Sequence, residues 1–198
     1  ISASGDIQLN KRTDSTTALS KVSQSTAGTI AASGTGSIDG VTASTVYNGS
    51  LFVGTSKSNA AEVYRYDGGT SWTKVSQSTA GTIAEDGGAT ANIDGVTSMT
   101  VFNGYLYIGT NEASNAQVYR YDGSSNWTVI NTTAGRFETD TAIDRVGTMA
   151  VYQGSLYIGI SKSNAAEVYR YNGSTGTSVF REINTTAGTF NTTASVDG

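Results

Sequence analysis

The 198-residue chain is long enough to bury a hydrophobic core, and only 14% of its residues are charged. It contains no His, Cys or Pro, which excludes imidazole bases, thiolate nucleophiles, disulfides and the commonest zinc ligands. The net charge is −4 and the 12 Lys and Arg are scattered, which argues against nucleic acid as a partner. No apolar run reaches the ~20 residues of a membrane span. We therefore expect a protein that is not an enzyme and has no cofactor, metal site or membrane span.

The chain is built from repeats. Residues 1–37 form a partial unit, because residues 21–31 recur letter for letter as residues 74–84. Three full units follow at residues 38–92, 93–142 and 143–194, and they open with Ile38, Ile93 and Ile143. Residues 195–198 match the opening of a further unit. Steps of 55 and then 50 residues between units are typical of propeller blades.

Within the first full unit, residues 44–47 and 51–55 are β-rich runs separated by Asn48-Gly49, a strong hairpin signal. Residues 62–66 and 72–75 form a second pair around Asp67-Gly68. We call these strands A, B, C and D. They predict an all-β propeller made of four-stranded antiparallel blades. Three full blades are fewer than the four to eight that close a ring. We therefore expect a segment of a larger ring, or a ring completed by oligomerisation, and rank an open array last because exposed edges aggregate.

One motif resembles a known family. Asn-Gly-x-Leu-Tyr-x-Gly at residues 103–109, Val-Tyr-x-Tyr-Asp at 118–122 and then Trp127 resemble the kelch-type β-propeller repeat, and the other units carry close variants. Kelch units usually end strand B in a Gly pair, whereas these units have Gly54-Thr55, Gly109-Thr110 and Gly159-Ile160. Residues 67–72 are partly similar to the Asp-box turn of sialidase-like propellers.

Several residues recur once per unit at what we interpret as structural positions. They are Arg65, Arg120 and Arg170, Asp39, Asp94 and Asp144, and Trp72 and Trp127. The matched numbers of Arg and Asp suggest an ion pair between blades. The alternative is that the three arginines converge on an anionic ligand. The tyrosines that alternate along strand C are expected to pack between blades, and stacking on sugar rings is the alternative.

The connections from strand B to C and from D to the next A are expected to emerge at the same edge of each unit. Loops on a rigid scaffold are where binding usually occurs. The candidate ligand-binding residues are Lys57, Asn59, Asn115, Lys162 and Asn164. Their side chains offer donors suited to sugar hydroxyl groups.

These features predict a non-enzymatic binding or structural module, acting in adhesion or as a scaffold. The composition suits an extracellular, cell-surface or virion-associated protein. A multivalent carbohydrate-binding lectin is the alternative, and a sialidase-like glycosidase is a more remote one. The expected partners are further blades of a longer chain, other protein chains including copies of this one in a homo-oligomer, and glycans.

Overall fold

A computed structural model describes residues 20–85, 89–174, 179–184 and 186–190. This part of the chain forms twelve strands and no helix, so the predicted all-β class is confirmed. The first four strands are β1 (Gly40–Tyr47), β2 (Ser50–Ser56), β3 (Val63–Gly68) and β4 (Ser71–Lys74). The next are β5 (Gly95–Phe102), β6 (Tyr105–Asn111), β7 (Val118–Tyr121) and β8 (Trp127–Val129). The last are β9 (Arg145–Tyr152), β10 (Ser155–Ser161), β11 (Glu167–Tyr171) and β12 (Phe180–Glu182).

Each unit is a meander of four antiparallel strands paired in chain order. We call residues 38–92, 93–142 and 143–194 units 1, 2 and 3. The hairpin between the first two strands turns at Asn48, Asn103 and Gln153, whose φ angles are 48°, 48° and 46°. Asn tolerates this left-handed backbone and glycine follows at each turn, which explains why Asn-Gly predicted the hairpin. The opening unit at 195–198 and residues 1–19 lie outside the described residues.

Neighbouring units are joined by single residue pairs. Ser56 pairs with Gly95, and Asn111 pairs with Arg145, so the twelve strands belong to one antiparallel sheet. The first strands of the units also lie against each other, since β5 contacts both β1 and β9. Over the described residues the path of paired strands does not return to its start, so the sheet is not closed.

The hydrophobic core lies between the units. Phe52 and Val63 of unit 1 belong to the same buried cluster as Ile108 and Tyr119 of unit 2. A second cluster joins units 2 and 3 in the same way, and a third packs Ile30 and the residues around it on unit 1. Each four-stranded unit therefore buries apolar side chains against its neighbours.

A glycine in the second strand sets how closely two units approach. A Cβ atom at Gly54 would lie 2.4 Å from Val96 Cγ1 of unit 2. A Cβ atom at Gly109 would lie 2.3 Å from Val146 Cγ1 of unit 3. Real Cβ contacts are longer than these, so the valine packs where only glycine leaves room.

Candidate functional site

The two long connections of each unit lie at one edge, as predicted. In unit 1, Lys57 N donates to Asp94 O at 3.0 Å, and Ala61 N donates to Ile93 O at 2.9 Å. These bonds tie the loop after β2 to the connection that enters unit 2. Asp94 Oδ1 also accepts a hydrogen bond from Asn59 N at 2.7 Å. Asp144 has the matching role for the loop of unit 2, where it accepts from Ser114 N at 2.9 Å.

The predicted ligand-binding residues lie in these loops, but they are not equivalent from unit to unit. Asn59 and Asn164 have φ angles of 57° and 55°, and the same position in unit 2 is Ser114 at 59°. The left-handed backbone therefore accounts for the two asparagines. Asn115 lies one residue later in the repeat and donates to Ala113 O at 3.0 Å.

The lysine of this loop also changes between units. Lys57 Nζ donates to Ser37 O at 3.0 Å. Lys162 occupies the matching position in unit 3, but unit 2 has Glu112 there. Burial and then the charge of Asp94 raise the pKa of the Glu112 carboxyl. At this position the loop edge of unit 2 thus carries an acidic residue where units 1 and 3 carry a basic one.

The expected ion pair between the recurring arginines and aspartates is wrong for the described residues. Arg65 pairs with Asp67 of its own strand, with Nε 2.8 Å from Oδ1. Arg120 lies over the ring of Tyr105, 4.7 Å from its centroid. The aspartates of the connections bind backbone amides instead, because the amides of the tight loop after the second strand point towards them. Asp39 is exposed, and no salt bridge to an arginine forms at its position. The three arginines stay on separate units and do not converge.

The tyrosines and tryptophans of the repeat lie at the junctions. Tyr121 is buried, stacks on Trp127 at 4.7 Å between ring centroids, and contacts Tyr47 of unit 1. Trp127 Nε1 donates to Val75 O of unit 1 at 2.7 Å. Trp72 Nε1 makes the matching bond to Val22 O at 2.9 Å. These contacts support the packing interpretation of the recurring aromatic residues.

The aspartates of the third-to-fourth-strand turns in units 1 and 2 bind different partners. Asp67 binds the side chains of Arg65 and Thr73. Asp122, in contrast, accepts hydrogen bonds from Ser124 N at 2.8 Å and Asn126 N at 3.3 Å. The Ser124 amide, followed by the side chains of its turn, lowers the pKa of Asp122 to about 2.

The third strand carries a polar pair that the sequence analysis missed. Three buried residues, Glu62, Gln117 and Glu167, lie directly before this strand or at its first residue. Each is followed two residues later by a buried tyrosine whose hydroxyl donates to it. The tyrosines are Tyr64, Tyr119 and Tyr169. The signal was visible as Glu/Gln-Val-Tyr in every unit, since residues two apart share a face of a strand. We call each such pair a clamp.

Each clamp holds the chain that enters its unit. In unit 1, Glu62 Oε2 accepts from Thr35 N at 2.9 Å, and Lys74 Nζ lies 3.1 Å from Glu62 Oε1. Burial raises the pKa of Glu62, but the hydrogen bonds from Tyr64, Thr35 and Lys74 outweigh it and the net pKa is lowered. In unit 2, Gln117 Oε1 accepts from Thr90 N at 2.6 Å.

Unit 3 places three carboxyl groups at its clamp. Tyr169 donates to Glu167, and its hydroxyl oxygen is also 2.5 Å from Asp140 Oδ2. Asp140, Glu167 and Glu182 each present a carboxylate oxygen within 4.8 Å of the others. A hydroxyl group has one hydrogen, so Tyr169 can donate to only one of the two carboxyl groups. The other carboxyl group must carry a proton to form a hydrogen bond with the hydroxyl oxygen. These oxygens are the type that bind a proton or a hard cation.

The charges at this clamp are unbalanced because Glu182 replaces the lysine of unit 1. Burial, followed by the neighbouring Asp140, raises the pKa of Glu167 despite the bond from Tyr169. Burial and then the charges of Asp140 and Glu138 raise the pKa of Glu182. Both groups therefore hold protons more tightly than ordinary glutamates.

A cavity of about 630 Å³ lies beside this clamp, lined by residues of unit 3 and by Glu138 and Thr139 of the connection from unit 2. Arg170 and Glu182 line it together with Arg181. Arg170 and Arg181 are directly opposite each other on β11 and β12. Arg170, predicted as a structural position, thus lies on an open surface.

The chain matches no protein-family model, and no curated protein matches it. None of the described residues belongs to a helix long and apolar enough to cross a membrane.

Proposed function

We propose that the chain is a non-enzymatic structural and binding module whose units are β-propeller blades of kelch-like type. One observation carries the proposal: most of the aromatic and clamp side chains that recur in the units are buried against the preceding unit or segment. The stacked Tyr121 and Trp127, the clamps and the close approach at Gly54 all hold one unit against the next or against the segment that enters it. Four-stranded meanders that bury both faces against their neighbours are the defining feature of blades.

A scaffold or adhesion role follows from where the polar groups lie. The carboxyl group of Glu167, whose pKa is raised, is buried and accepts a hydrogen bond from Tyr169 at the junction of units 2 and 3. Glycoside hydrolysis needs a carboxyl pair on the two sides of a sugar bond, about 5 to 9.5 Å apart and open to substrate. Glu167 is buried, and Tyr169 lies between it and Asp140, which favours a role in packing.

Turnover of model glycosides, including a sialoside, tests the non-enzymatic proposal. The purified chain is compared with Glu167→Gln, which removes one carboxylate and keeps the shape of the clamp. We expect the same background rate for both proteins. Hydrolysis by the natural chain that Glu167→Gln abolishes would overturn the proposal and favour the glycosidase.

A lectin is the second candidate, because exposed Asn59, Asn115 and Asn164 lie on the loop edge of successive units. A glycan array tests it with the double variant Lys57→Ala, Lys162→Ala. Lys21→Ala is the matched control, since Lys21 is exposed and lies outside the loops that carry Lys57 and Lys162. A lectin with one site per unit gives binding to multivalent glycans that the double variant loses and the control keeps.

A further inference from the structure

The two ends of the three-unit array expose apolar side chains that are buried at the inner junctions. On unit 1, Val41 is 53% exposed, whereas its repeat equivalents Val96 and Val146 are fully buried. On unit 3, Tyr152 is 61% exposed, whereas its equivalents Tyr47 and Phe102 are buried. The structure thus shows what a neighbouring unit would cover.

The connection that leaves unit 3 also exposes apolar side chains whose repeat equivalents are buried. Ile183 is 50% exposed and Phe190 is 67% exposed. Their repeat equivalents in unit 2, Ile130 and Phe137, are fully buried at the junction with unit 3. Exposed apolar residues gathered on one face mark an interaction surface.

The shapes of the two end faces are complementary. A Cβ atom at Gly159 would meet, as its nearest neighbour, Thr148 Cγ2 of its own unit at 2.7 Å. The same positions in units 1 and 2 instead meet Val96 and Val146 of the next unit. Gly159 therefore leaves a space for a valine, and Val41 is the valine of that repeat position on the exposed face of unit 1.

Two arginines lie side by side on the open face of unit 3. Arg181 faces Arg170 across the β11–β12 pair, and like charges placed opposite each other destabilise a sheet. At the inner junction, Arg65 of unit 1 shares a cavity with Tyr121 and Ser124 in the third-to-fourth-strand turn of unit 2. Arg170 and Arg181 therefore lie where the third-to-fourth-strand turn of a further unit would pack.

We propose that unit 3 of one copy of this chain docks on unit 1 of a second copy, in the way that unit 1 packs on unit 2. This inference rests on the proposed function, in which the units are equivalent blades. The interface is head-to-tail, so copies add in one direction and form a ring if the rotation closes and a filament if it does not.

Each inner junction includes the connection that enters the second of its two units. At the junction between two copies, two segments compete for this position. Residues 22–30 of the second copy lie on its unit 1, while residues 183–190 of the first copy have the same repeat position. In our proposal the second segment replaces the first, as in domain swapping. Ile183 O then accepts the bond from Trp72 that Val22 O holds in the single chain, and Phe190 replaces Ile30. This exchange buries the two exposed side chains.

Light scattering during size-exclusion chromatography tests the proposal on three proteins: the natural chain, Val41→Asp and Tyr152→Asp. Both changed side chains are exposed in the single chain, so we expect thermal unfolding of the variants to match the natural chain. The natural chain should have a mass that is a multiple of 20.4 kDa, and each variant alone should have 20.4 kDa.

Mixing the two variants gives the sharpest result. Val41→Asp keeps a natural unit 3 face and Tyr152→Asp keeps a natural unit 1 face, so together they should form a dimer that cannot grow. Val151→Asp is the matched control, because Val151 is exposed on β9 although unit 2 already lies beside it. The control should assemble like the natural chain.

A natural chain that stays at 20.4 kDa at every concentration overturns the proposal. So does a mixture of the two variants that remains monomeric, because that result indicates a symmetric interface or none. Neither result bears on glycoside turnover or glycan binding, so the proposed function fails or stands separately.

Discussion

The acidic clamp of unit 3 predicts that Glu182→Lys stabilises the protein. Unit 1 shows the reason, because Lys74 occupies the same repeat position and lies 3.1 Å from the buried Glu62. In unit 3 a carboxyl group replaces that lysine and comes within 4.8 Å of two others. The substitution should convert repulsion into the ion pair that unit 1 already makes.

The magnitude follows from the distance. Two full charges about 4.8 Å apart interact by about 3.5 kcal/mol at an effective dielectric constant of about 20. Glu182 is partly exposed and the carboxyl groups take up protons, so roughly half of this remains. We expect a gain of about 1 to 2 kcal/mol at pH 7. For a chain of this size that gain raises the Tm by about 2 to 8 °C.

The stability gained by Glu182→Lys should increase with pH. The pKa values of Glu167 and Glu182 are raised in the folded state, so the natural chain loses stability as pH rises from about 4.5 through those values. In Glu182→Lys, the pKa of Glu167 should instead be lowered, as it is for Glu62. The difference in Tm between variant and natural chain should be small near pH 4 and increase towards pH 7.

Thermal unfolding by circular dichroism between pH 4 and pH 7 measures this difference. Glu182→Gln separates the loss of repulsion from the new ion pair and should give a smaller gain. Lys74→Glu creates the acidic arrangement in unit 1 and should lower the Tm most at pH 7. The reasoning is refuted if the gain of Glu182→Lys is absent or does not grow with pH.

Three further substitutions test the junctions by thermal or urea unfolding. Gly109→Ala should lower the free energy of unfolding by about 1 to 3 kcal/mol, because its Cβ meets Val146. Gly36→Ala is the control, since the nearest atom to a Cβ there is Thr29 Oγ1 at 4.0 Å, an ordinary contact. Trp127→Phe removes the bond to Val75 O and should cost about 0.5 to 1.5 kcal/mol, and an unchanged Tm would show that the bond contributes nothing. Tyr119→Phe leaves Gln117 without its tyrosine donor and should cost about 1 to 3 kcal/mol, and no loss would contradict a structural role for the clamp.

The strands were predictable because their signals are local. Asn-Gly turns and alternating β-rich residues fix the hairpins without reference to the rest of the chain. The first strand was predicted too short, since β1 begins at Gly40 and not at residue 44. Its first residues pair beyond a bulge between Val41 and Ala43, which interrupts the alternation that the prediction relied on.

The partners of the polar side chains were not predictable. Asp94 and Arg65 occur once per unit, and equal numbers suggested a pair. In the structure, Asp94 instead accepts a hydrogen bond from the backbone amide of Asn59. Arg65 forms a salt bridge with Asp67, its neighbour on the same strand. Frequency shows that a residue is needed in each unit, but only the packing of one unit on the next shows what it contacts.

The departures from the repeat are therefore more informative than the repeat itself. The glycine that units 1 and 2 share in the second strand is explained by the junction, since a Cβ atom at Gly54 or Gly109 would meet a valine of the next unit. Unit 3 keeps Gly159 but has no described neighbour to fill the space, and it alone carries Arg181 and Glu182 on its fourth strand. Gly159 has no valine partner within the described chain, and its presence is explained if the valine comes from another copy. The mixture of Val41→Asp and Tyr152→Asp therefore decides between an isolated module and an assembling one.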